Sequence, residues 1–389
     1  MKPKTLLLLG AALLSQLGLA QEAVPGEILV KFHTDRPVDQ AAAHAPTRAH
    51  KVGEVPNLKV QLLRLPAGIS TRAALDYYRS LPGVEYAEPN YIAHAQFTPN
   101  DISFNSQWGP KKIQAPQAWE VIQGSPDVIV AILDTGVDLS HPDLLPKLTI
   151  GWDFVNNDAW ADDDHGHGTH CAGIAAAGTN NAIGVAGIGF NSRIMPVKVL
   201  GSNGSGSYAY IVAGIRYAAD NGAKVISLSL GGQSTSYALE DAVNYAWSKG
   251  AIVVAAAGNA NSTTPHYPAA YTNAIAVGAS ESNDARASYS NYGSWVDVAA
   301  PGSSILSTTR GGGYGYMSGT SMATPHVAGQ AALVWSHYGA STSVSMIRQR
   351  IEGHTDPIGS WIKYGRVNVY KSIGAPPSDP PPSGDGRTE

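Results

Sequence analysis

The sequence predicts an α/β fold, with a doubly wound, mostly parallel sheet that is preceded by a small α+β domain. Continuous apolar runs rich in Val and Ile are typical of strands covered on both faces. Five such runs follow residue 127, at 128–133, 194–200, 224–230, 251–257 and 274–279. Between them, 208–221 and 237–249 have helical apolar spacing, and Gly222 and Gly250 follow. This alternation predicts parallel strands with a ligand site beyond their carboxyl ends.

The small domain is predicted from shorter patterns nearer the N-terminus. Apolar runs predict three strands, at 27–32, 58–65 and 84–89. Residues 71–80 predict a helix with Ser70 as its N-cap. The composition changes near residue 96, so the predicted domains are 21–96 and 97–374.

Both ends of the chain are predicted to lie outside these domains. Lys2 and Lys4 precede an apolar stretch that ends in Gly18-Leu19-Ala20, as in a secretory signal peptide. We predict a signal peptide at 1–20 and a secreted, extracellular protein, and the alternative is a buried N-terminal helix. Residues 375–389 are mostly Pro, Ser, Gly and Asp, which predicts a tail without a core of its own.

The composition argues against several classes of protein. Of the 389 residues, 43 % are apolar and only 14 % are charged, which excludes a highly charged disordered chain. The net charge of -4, without any run of five like charges, predicts no nucleic-acid partner. One cysteine excludes an internal disulfide, and outside 6–20 no apolar run approaches the ~20 residues that span a bilayer. No membrane association is expected after processing.

Four polar residues stand where such a sheet positions its ligands. Asp134 follows the first predicted strand of the large sheet, and Asn259 follows the fourth. His167 lies between glycines at the start of a predicted helix. Ser321 lies at the start of another, where backbone N–H groups and the helix dipole favour negative charge near its hydroxyl. Pro325 is expected in the first turn of that helix, where its missing N–H has no intrahelical partner.

Each position also has an alternative interpretation. An Asp-Thr-Gly sequence after a strand is typical of a turn, Ser321 could be a helix N-cap, and Asn259 could cap a turn. His165, His167 and His170 could together bind a metal. Zinc helices of the H-E-x-x-H type carry a carboxylate that this segment lacks.

The segments around these residues, in this order and spacing, resemble the subtilisin-like serine proteases, and most closely their thermitase and proteinase K branches. The matching segments are Ile132-Leu133-Asp134-Thr135-Gly136-Val137, His141-Pro142-Asp143-Leu144, His167-Gly168-Thr169-His170-Cys171-Ala172-Gly173, Ser229-Leu230-Gly231-Gly232, Ala257-Gly258-Asn259 and Gly319-Thr320-Ser321-Met322-Ala323-Thr324-Pro325-His326. The resemblance covers about 98–372 and implies a subtilisin-like fold. Residues 27–95 resemble the inhibitory propeptide of the family.

The resemblance implies a role for each of the four residues. Ser321 is expected to be the nucleophile, which needs activation because its hydroxyl is protonated at neutral pH. His167 is expected to accept that proton and return it to the leaving amine, while Asp134 fixes the His167 tautomer. Asn259 and the backbone N–H of Ser321 are expected to bind the oxyanion. The implied activity is that of a serine endopeptidase made as a zymogen.

A binding site for an extended peptide is implied as well. Two backbone segments are expected to pair with the substrate as strands do, so that main-chain hydrogen bonds supply affinity with little sequence demand. They consist of Gly204, Ser205 and Gly206, and of Ser229, Leu230 and Gly231. The pocket for the side chain before the cleaved bond is expected between the second segment and Ala256, Ala257 and Gly258. Because these residues are small or apolar, we expect broad specificity that favours sizeable apolar side chains.

Partners and processing follow from the same resemblance. The expected partners are polypeptide substrates and the chain's own propeptide, which acts as intramolecular chaperone and inhibitor, and the enzyme is expected to be a monomer. We predict that it removes this propeptide by cleavage between about 92 and 97. A catalytically inactive binding protein of the same fold would have no chemical reason to keep all four residues. An esterase would show Gly-x-Ser-x-Gly, whereas Ser321 stands in Gly-Thr-Ser-Met-Ala.

Calcium is the cofactor that the resemblance implies. Carboxylate, amide and carbonyl oxygens are the ligands that this hard cation prefers. The expected ligands of the high-affinity site are Asp101, Asp143, Gly178, Asn181, Ile183 and Val185. A second site at Asp153, Asp158 and Asp162 departs from the family pattern, because Asn156 stands where an acidic residue is expected. Solvated acidic loops are the alternative in both places.

Overall fold

The structure is a computed structural model that describes residues 23–35, 38–92, 97–339 and 341–374. The chain divides into two compact units, Met1–Ala95 and Gln96–Glu389. Three sequence predictions lie outside the described residues, namely the signal peptide at 1–20, most of the processing segment at 92–97, and the tail at 375–389.

In the part of the first unit that the structure describes, two α-helices accompany a four-stranded antiparallel sheet. Its strands are β1 (Ala23–Phe32), β2 (His50–Val55), β3 (Val60–Arg64) and β4 (Val84–Tyr91), in the spatial order β2-β3-β1-β4. The helices are α1 (Gln40–His44) and α2 (Thr71–Ser80). Ser70 caps α2, because its Oγ accepts a hydrogen bond from Ala73 N at 3.4 Å. The core of the unit includes Ile28, Val30, Leu63, Leu75 and Tyr78.

The sequence pattern predicts neither β2 nor α1. β2 is an edge strand whose residues are exposed except for a half-buried Gly53, so no apolar alternation marks it. α1 has only five residues, which is too short for a periodic pattern. The third strand begins at Val60 rather than at residue 58, because 56–59 form the turn between β2 and β3, and Leu58 in this turn is 61 % exposed.

The second unit is built on an eight-stranded parallel sheet. Its strands are β5 (Ile129–Asp134), β6 (Trp152–Asp153), β7 (Arg193–Lys198), β8 (Val225–Leu228), β9 (Ile252–Ala256), β10 (Ala274–Ser280), β11 (Val298–Pro301) and β14 (Gly365–Arg366). The spatial order is β14-β11-β10-β9-β8-β5-β7-β6. A separate antiparallel hairpin consists of β12 (Ile305–Thr309) and β13 (Gly313–Met317).

Helices cover both faces of this sheet, and the side chains of β5 alternate between the two cores. The helices are α3 (Trp108–Lys112), α4 (Ala115–Val121), α5 (His167–Ala176), α6 (Tyr208–Asp220), α7 (Tyr237–Ser248), α8 (Thr320–Tyr338), α9 (Val344–Gly353) and α10 (Val369–Ile373). Val130 and Ile132 of β5 belong to the core that contains α5 and α8. Ala131 and Leu133 belong to the core that contains α6 and α7. Both faces of β5 are therefore apolar, which explains its continuous apolar run.

The predicted fold class is confirmed, since the second unit is a mostly parallel α/β sheet and the first a small α+β domain. The strands β6, β11 and β14 join the large sheet without a predicted run, because each has only two to four residues. Within the described ranges, no helix is both long enough and apolar enough to cross a membrane.

Candidate active site

Asp134 and His167 meet at the carboxyl end of β5. Asp134 is the last residue of β5, and His167 is the first residue of α5, whose N-cap is Gly166. His167 Nδ1 lies 2.7 Å from Asp134 Oδ1, and the Asp134 side chain is fully buried. The backbone N–H of Thr135 donates to the same oxygen at 2.8 Å. In this geometry a carboxylate holds Nδ1 of the imidazole as the donor and leaves Nε2 as the proton acceptor.

A second buried carboxylate, that of Asp163, joins the two segments that carry this pair. It accepts hydrogen bonds from Thr135 Oγ1 at 2.8 Å and from the backbone N–H groups of Gly166 and Thr169. Burial opposes its charged form, but these hydrogen bonds outweigh burial and lower the pKa of Asp163. Asp163 therefore stays ionised and ties the loop after β5 to the start of α5.

The surroundings of His167 favour its protonated form. Burial by itself favours the neutral ring, but the charge of Asp134 and the hydrogen bond to it raise the pKa of His167 above 6.5. The charge of Asp163 acts in the same direction. A base with a raised pKa holds a proton more tightly, so His167 can take a hydroxyl proton and be stabilised as an imidazolium.

Ser321 is the second residue of α8, and the N-cap of this helix is Gly319. The interpretation of Ser321 as an N-cap is therefore wrong. In the first helical turn its backbone N–H has no intrahelical acceptor and can bind an anion.

The prediction that Pro325 lies in the first turn of α8 is also wrong. The helix begins at Thr320, so Pro325 lies inside it and lacks the N–H that would donate to the carbonyl of Ser321. That carbonyl accepts instead from Ser229 Oγ at 2.8 Å and from Cys171 Sγ at 3.4 Å. Tertiary contacts thus replace the hydrogen bond that proline removes.

The same contacts position Ser321 beside the Asp134–His167 pair. Ser321 Oγ donates to Ser229 O at 3.1 Å, so the two serines bond reciprocally, each hydroxyl to the other's carbonyl. Cys171 Sγ lies within 4.8 Å of the ligand atoms of Asp134 and His167 while it contacts Ser321 O. In this conformation the Ser321 hydroxyl donates its proton to the carbonyl of Ser229. The hydrogen bond from a nucleophile to its catalytic base often becomes short only when substrate is bound.

Asn259 is fixed by the residue that precedes Ser321. Its Oδ1 accepts from the N–H and from the Oγ1 of Thr320, both at 2.9 Å. Thr320 Oγ1 in turn accepts from Gly258 N at 3.1 Å. Because the amide oxygen is occupied, Nδ2 is the donor that this exposed side chain offers to a ligand. Together with Ser321 N–H it can supply two donors to an oxyanion.

The three neighbouring histidines do not come together as a metal site in the part of the chain that the structure describes. His170 is buried, its Nε2 lies 3.0 Å from Gly315 O, and burial lowers the pKa of this ring to about 4. His165 is exposed. Burial raises the pKa of the Cys171 thiol well above its usual value, so this thiol stays protonated and is no nucleophile.

Six of the nine residues predicted to bind substrate line one open cleft together with His167. The cleft has a volume of about 460 Å³. The six residues are Gly204, Ser205, Gly206, Ser229, Leu230 and Gly231. The other three, Ala256, Ala257 and Gly258, are buried at the end of β9 and do not line this cleft.

The residues predicted to bind calcium converge on Asp143. Its backbone O accepts from Gly178 N at 2.9 Å, its Oδ1 from Asn181 Nδ2 at 2.7 Å, and its Oδ2 from Val185 N at 3.0 Å. Asp101 Oδ2 accepts from Asn180 N in the same loop, and Asn181 Oδ1 accepts from Ile183 N.

This cluster fits a cation. The other oxygen of Asp101, Oδ1, is buried without a hydrogen-bond partner among the described residues. Burial raises the pKa of both Asp101 and Asp143, and the charge of Asp101 raises the pKa of Asp143 further. The two buried carboxylates repel one another, and Asp101 Oδ1 is an acceptor without a donor among the described residues. Both features match the ligands that calcium prefers.

The second acidic loop is differently arranged. Asp153 Oδ1 accepts from the backbone N–H groups of Val155 and Asn156, and Asp153 Oδ2 accepts from Asn156 Nδ2 at 2.8 Å. Asp158 and Asp162 each accept a backbone N–H as well, from Trp160 and Leu139. The side-chain amide of Asn156 thus occupies Asp153 Oδ2, the oxygen that this carboxylate would otherwise offer to a cation.

Lys198 is a site residue that the sequence pattern does not identify. It ends β7 opposite Asp134, and its side chain is 1 % exposed. Its Nζ donates to Thr135 O at 2.6 Å, to Asp164 Oδ1 at 2.7 Å and to Leu200 O at 2.8 Å. One buried cation therefore links three loops around the cleft. The sequence signal for this residue was a lysine within the apolar run 194–200, because a buried charged group needs ionic or hydrogen-bonding partners.

Comparison with known proteins adds independent findings. The profile of the subtilase family matches residues 125–363, and the profile of the fervidolysin N-terminal prodomain matches residues 18–90. Thermitase from Thermoactinomyces vulgaris is 56 % identical over 281 residues, which are 71 % of this chain and 99 % of thermitase. The thermophilic serine proteinase from Bacillus sp. (strain AK1) is 48 % identical over 355 residues, 90 % of this chain and 88 % of that protein. The solved structure of a protease from Pseudoalteromonas arctica aligns with a TM-score of 0.67 at 35 % identity, and covers 71 % of this chain and 99 % of that one.

Proposed function

The chain belongs to the subtilase family of serine proteases and carries a prodomain, and on this premise we propose that it is a secreted endopeptidase that uses Asp134, His167 and Ser321. Ser321 Oγ attacks the peptide carbonyl as its proton passes to His167 Nε2. That proton then goes to the leaving amine, and water hydrolyses the acyl-enzyme by the reverse sequence. The observation that carries this proposal is the buried Asp134–His167 pair with the Ser321 backbone beside it.

The deciding experiment compares wild-type protein with Ser321→Ala. Peptide hydrolysis and the mass of the purified chain are measured side by side. Hydrolysis that survives the loss of the Ser321 hydroxyl would rule out this serine as the nucleophile.

The proposed substrates are polypeptides bound in an extended conformation. The segments 204–206 and 229–231 line the same cleft, and Ser205, Gly206 and Gly231 are exposed there, which supports strand-like pairing with a peptide. We propose broad specificity that favours apolar side chains before the cleaved bond, a monomeric enzyme, and no nucleic-acid partner. The signal peptide predicted at 1–20 supports secretion, and the first domain is proposed to act as chaperone and inhibitor until cleavage between about 92 and 97.

Asn259 provides a separate test of oxyanion binding. Asn259→Ala should lower kcat about 10²- to 10³-fold with little change in KM, because Nδ2 would bond to the oxyanion more strongly than to the ground-state carbonyl. That magnitude is the one known for the corresponding donor of a subtilisin, a member of this family. Steady-state kinetics on a peptide nitroanilide measure it, with Asn244→Ala on α7 as the control. Full turnover in Asn259→Ala would remove Asn259 from the mechanism.

We propose calcium as the cofactor, held by Asp101, Asp143, Gly178, Asn181, Ile183 and Val185. When bound, the ion would supply the positive charge that offsets the repulsion of the Asp101 and Asp143 carboxylates, and would so stabilise the loop 178–185. The unpartnered, buried Asp101 Oδ1 supports this assignment. The Asp153 loop is left out of the proposal because Asn156 already satisfies its carboxylate.

Chelation should shorten the half-life of the mature enzyme on warming. At a hundredfold excess over its Kd, a ligand of the folded state stabilises it by about 2.7 kcal/mol, which reduces the opened population roughly a hundredfold. Opened loops are substrates for a protease, so inactivation should accelerate accordingly. Asp143→Asn in calcium buffer should behave like the chelated wild type, and Asp241→Asn on α7 should not. Equal inactivation rates with calcium and with chelator would contradict the proposal.

A further inference from the structure

Phe97 is the first described residue of the second unit, and its backbone nitrogen faces a carboxylate. Phe97 N donates to Glu120 Oε1 at 2.7 Å, and Glu120 is the sixth residue of α4. Hydrogen bonds of this length are typical of charge-assisted pairs between nitrogen and a carboxylate. The predicted processing segment 92–97 ends at this nitrogen. Cleavage of the Gln96–Phe97 bond would therefore convert the amide that faces Glu120 into an α-ammonium.

The side chain of Phe97 is held by aromatic residues of the second unit. Its ring packs edge-to-face on Trp119, with the centroids 6.4 Å apart, and tilted on Phe190 at 6.0 Å. Trp119 is buried, and its Nε1 donates to Ile188 O at 3.0 Å, so the ring on which Phe97 packs is fixed. Aromatic pairs with these geometries are favourable beyond the area they bury. Phe97 therefore packs as part of the protease domain rather than of the prodomain.

The surroundings of Phe97 N contain acceptors that suit a primary ammonium. Phe97, Glu120 and Gln117 line one cavity of about 290 Å³. Gln117 lies one turn before Glu120 on α4, and its Oε1 is buried without a hydrogen-bond partner among the residues that the structure describes. Lys111 lines the cavity as well, but its Nζ donates to Asn105 O at 2.9 Å. An amide has a single proton for Glu120, whereas an ammonium has three donors and could also bond to Gln117.

This cavity lies far from the candidate nucleophile. Phe190, which contacts the Phe97 ring, precedes the first residue of β7 by three positions, whereas the candidate active site lies at the carboxyl end of the neighbouring strand β5. The six residues of β5 span about 20 Å. The Gln96–Phe97 bond cannot be at Ser321 while Phe97 occupies this position. Docking of Phe97 beside Glu120 must therefore follow cleavage of the bond.

We propose that the mature enzyme begins at Phe97 and that Glu120 and Gln117 bind its α-ammonium, which retains the new N-terminus away from the active site. This rests on the proposed endopeptidase function. Hydrolysis adds one water across the Gln96–Phe97 bond and, at neutral pH, leaves a carboxylate on Gln96 and an ammonium on Phe97. Gln96 is not apolar, but an intramolecular cleavage proceeds at high effective concentration and so depends little on side-chain preference. A cut nearer residue 92 would leave only an amide N–H at Glu120.

The test begins with N-terminal sequencing of the self-processed wild type, which should give Phe-Thr-Pro-Asn, residues 97–100. The mature enzyme is then inhibited with a sulfonyl fluoride and labelled with an amine-reactive ester over a range of pH, and mass spectrometry quantifies the N-terminal peptide. Because the Glu120 carboxylate favours the ammonium, the pKa of the α-amine should exceed the usual range of about 7.7–8.0. Glu120→Gln should label about three- to tenfold faster at pH 7, since one pKa unit corresponds to a tenfold change. Asp241→Asn, an exposed carboxylate on α7, is the matched control and should label like the wild type.

The outcomes separate this inference from the function it rests on. A mature chain that begins at another residue, or a chain that hydrolyses peptides but keeps its prodomain, would overturn the role of Phe97 and leave the endopeptidase function intact. An unchanged labelling rate in Glu120→Gln would remove the ion pair. If Glu120→Gln did not fold, the wild type alone would decide, because an α-amine pKa within or below the usual range contradicts the pair. A wild type that hydrolyses no peptide would instead contradict the endopeptidase function.

Discussion

Ser321→Ala is expected to leave the chain at precursor length and to lower kcat about 10⁶-fold. Alanine removes the only oxygen that can form the acyl-enzyme at this position, and the hydrogen bond to Ser229 O disappears with it. In a subtilisin, loss of the nucleophile of the same triad costs about this much. Mass spectrometry of the purified chain and hydrolysis of a peptide nitroanilide measure the two effects.

A matched control exists in the same domain. Ser345 is the second residue of α9, as Ser321 is of α8, and it is exposed. Ser345→Ala should mature and cleave peptides like the wild type. That result would show that the loss of a serine from a first helical turn does not by itself impair maturation or activity. Cleavage of Ser321→Ala at the wild-type bond, with no other protease present, would remove the claim of self-processing.

Asp134→Asn is expected to lower kcat about 10⁴-fold while the protein stays folded. The amide N–H of asparagine would donate to His167 Nδ1, which places the ring proton on Nε2, where it can no longer accept the proton of Ser321. The loss should thus appear in kcat far more than in KM. Single-turnover and steady-state kinetics measure it, and circular dichroism checks the fold.

The pH dependence of the same variant gives a second readout. Activity needs neutral His167, so the wild-type rate should rise as pH increases through a pKa that lies above 6.5. The charge of Asp134 and its hydrogen bond raise the pKa of His167 in the free enzyme, so Asp134→Asn should move the acid limb of kcat/KM to lower pH. Asp127→Asn, an exposed carboxylate just before β5, should leave both kcat and the limb unchanged. An unshifted limb in Asp134→Asn would contradict the electrostatic role given to this carboxylate.

Local patterns were sufficient for the five central strands of the large sheet, β5 and β7 to β10, and for the identity of the candidate residues. β5 is apolar on both faces because helices cover both, and a pattern of this kind is a property of neighbouring residues alone. Asp134 ends a strand, Asn259 follows one closely and Ser321 lies at the start of a helix, and sequence patterns mark such ends. β2 was not predicted, because an exposed edge strand has no buried face and therefore no apolar alternation in its sequence.

Tertiary structure alone decided how these residues are held. The sequence places Pro325 near the start of a helix, but the carbonyl it leaves free is satisfied by Ser229 and Cys171, 92 and 150 residues away from Ser321. Lys198 likewise acquires its contacts only when separate loops pack together. The physical reason is that periodicity reports the burial of one face of one element, whereas the partner of a buried polar group depends on which elements fold against it. The sequence by itself therefore determined the fold class and the candidate residues of the site, and packing determined the hydrogen bonds and the shape of the pocket around them.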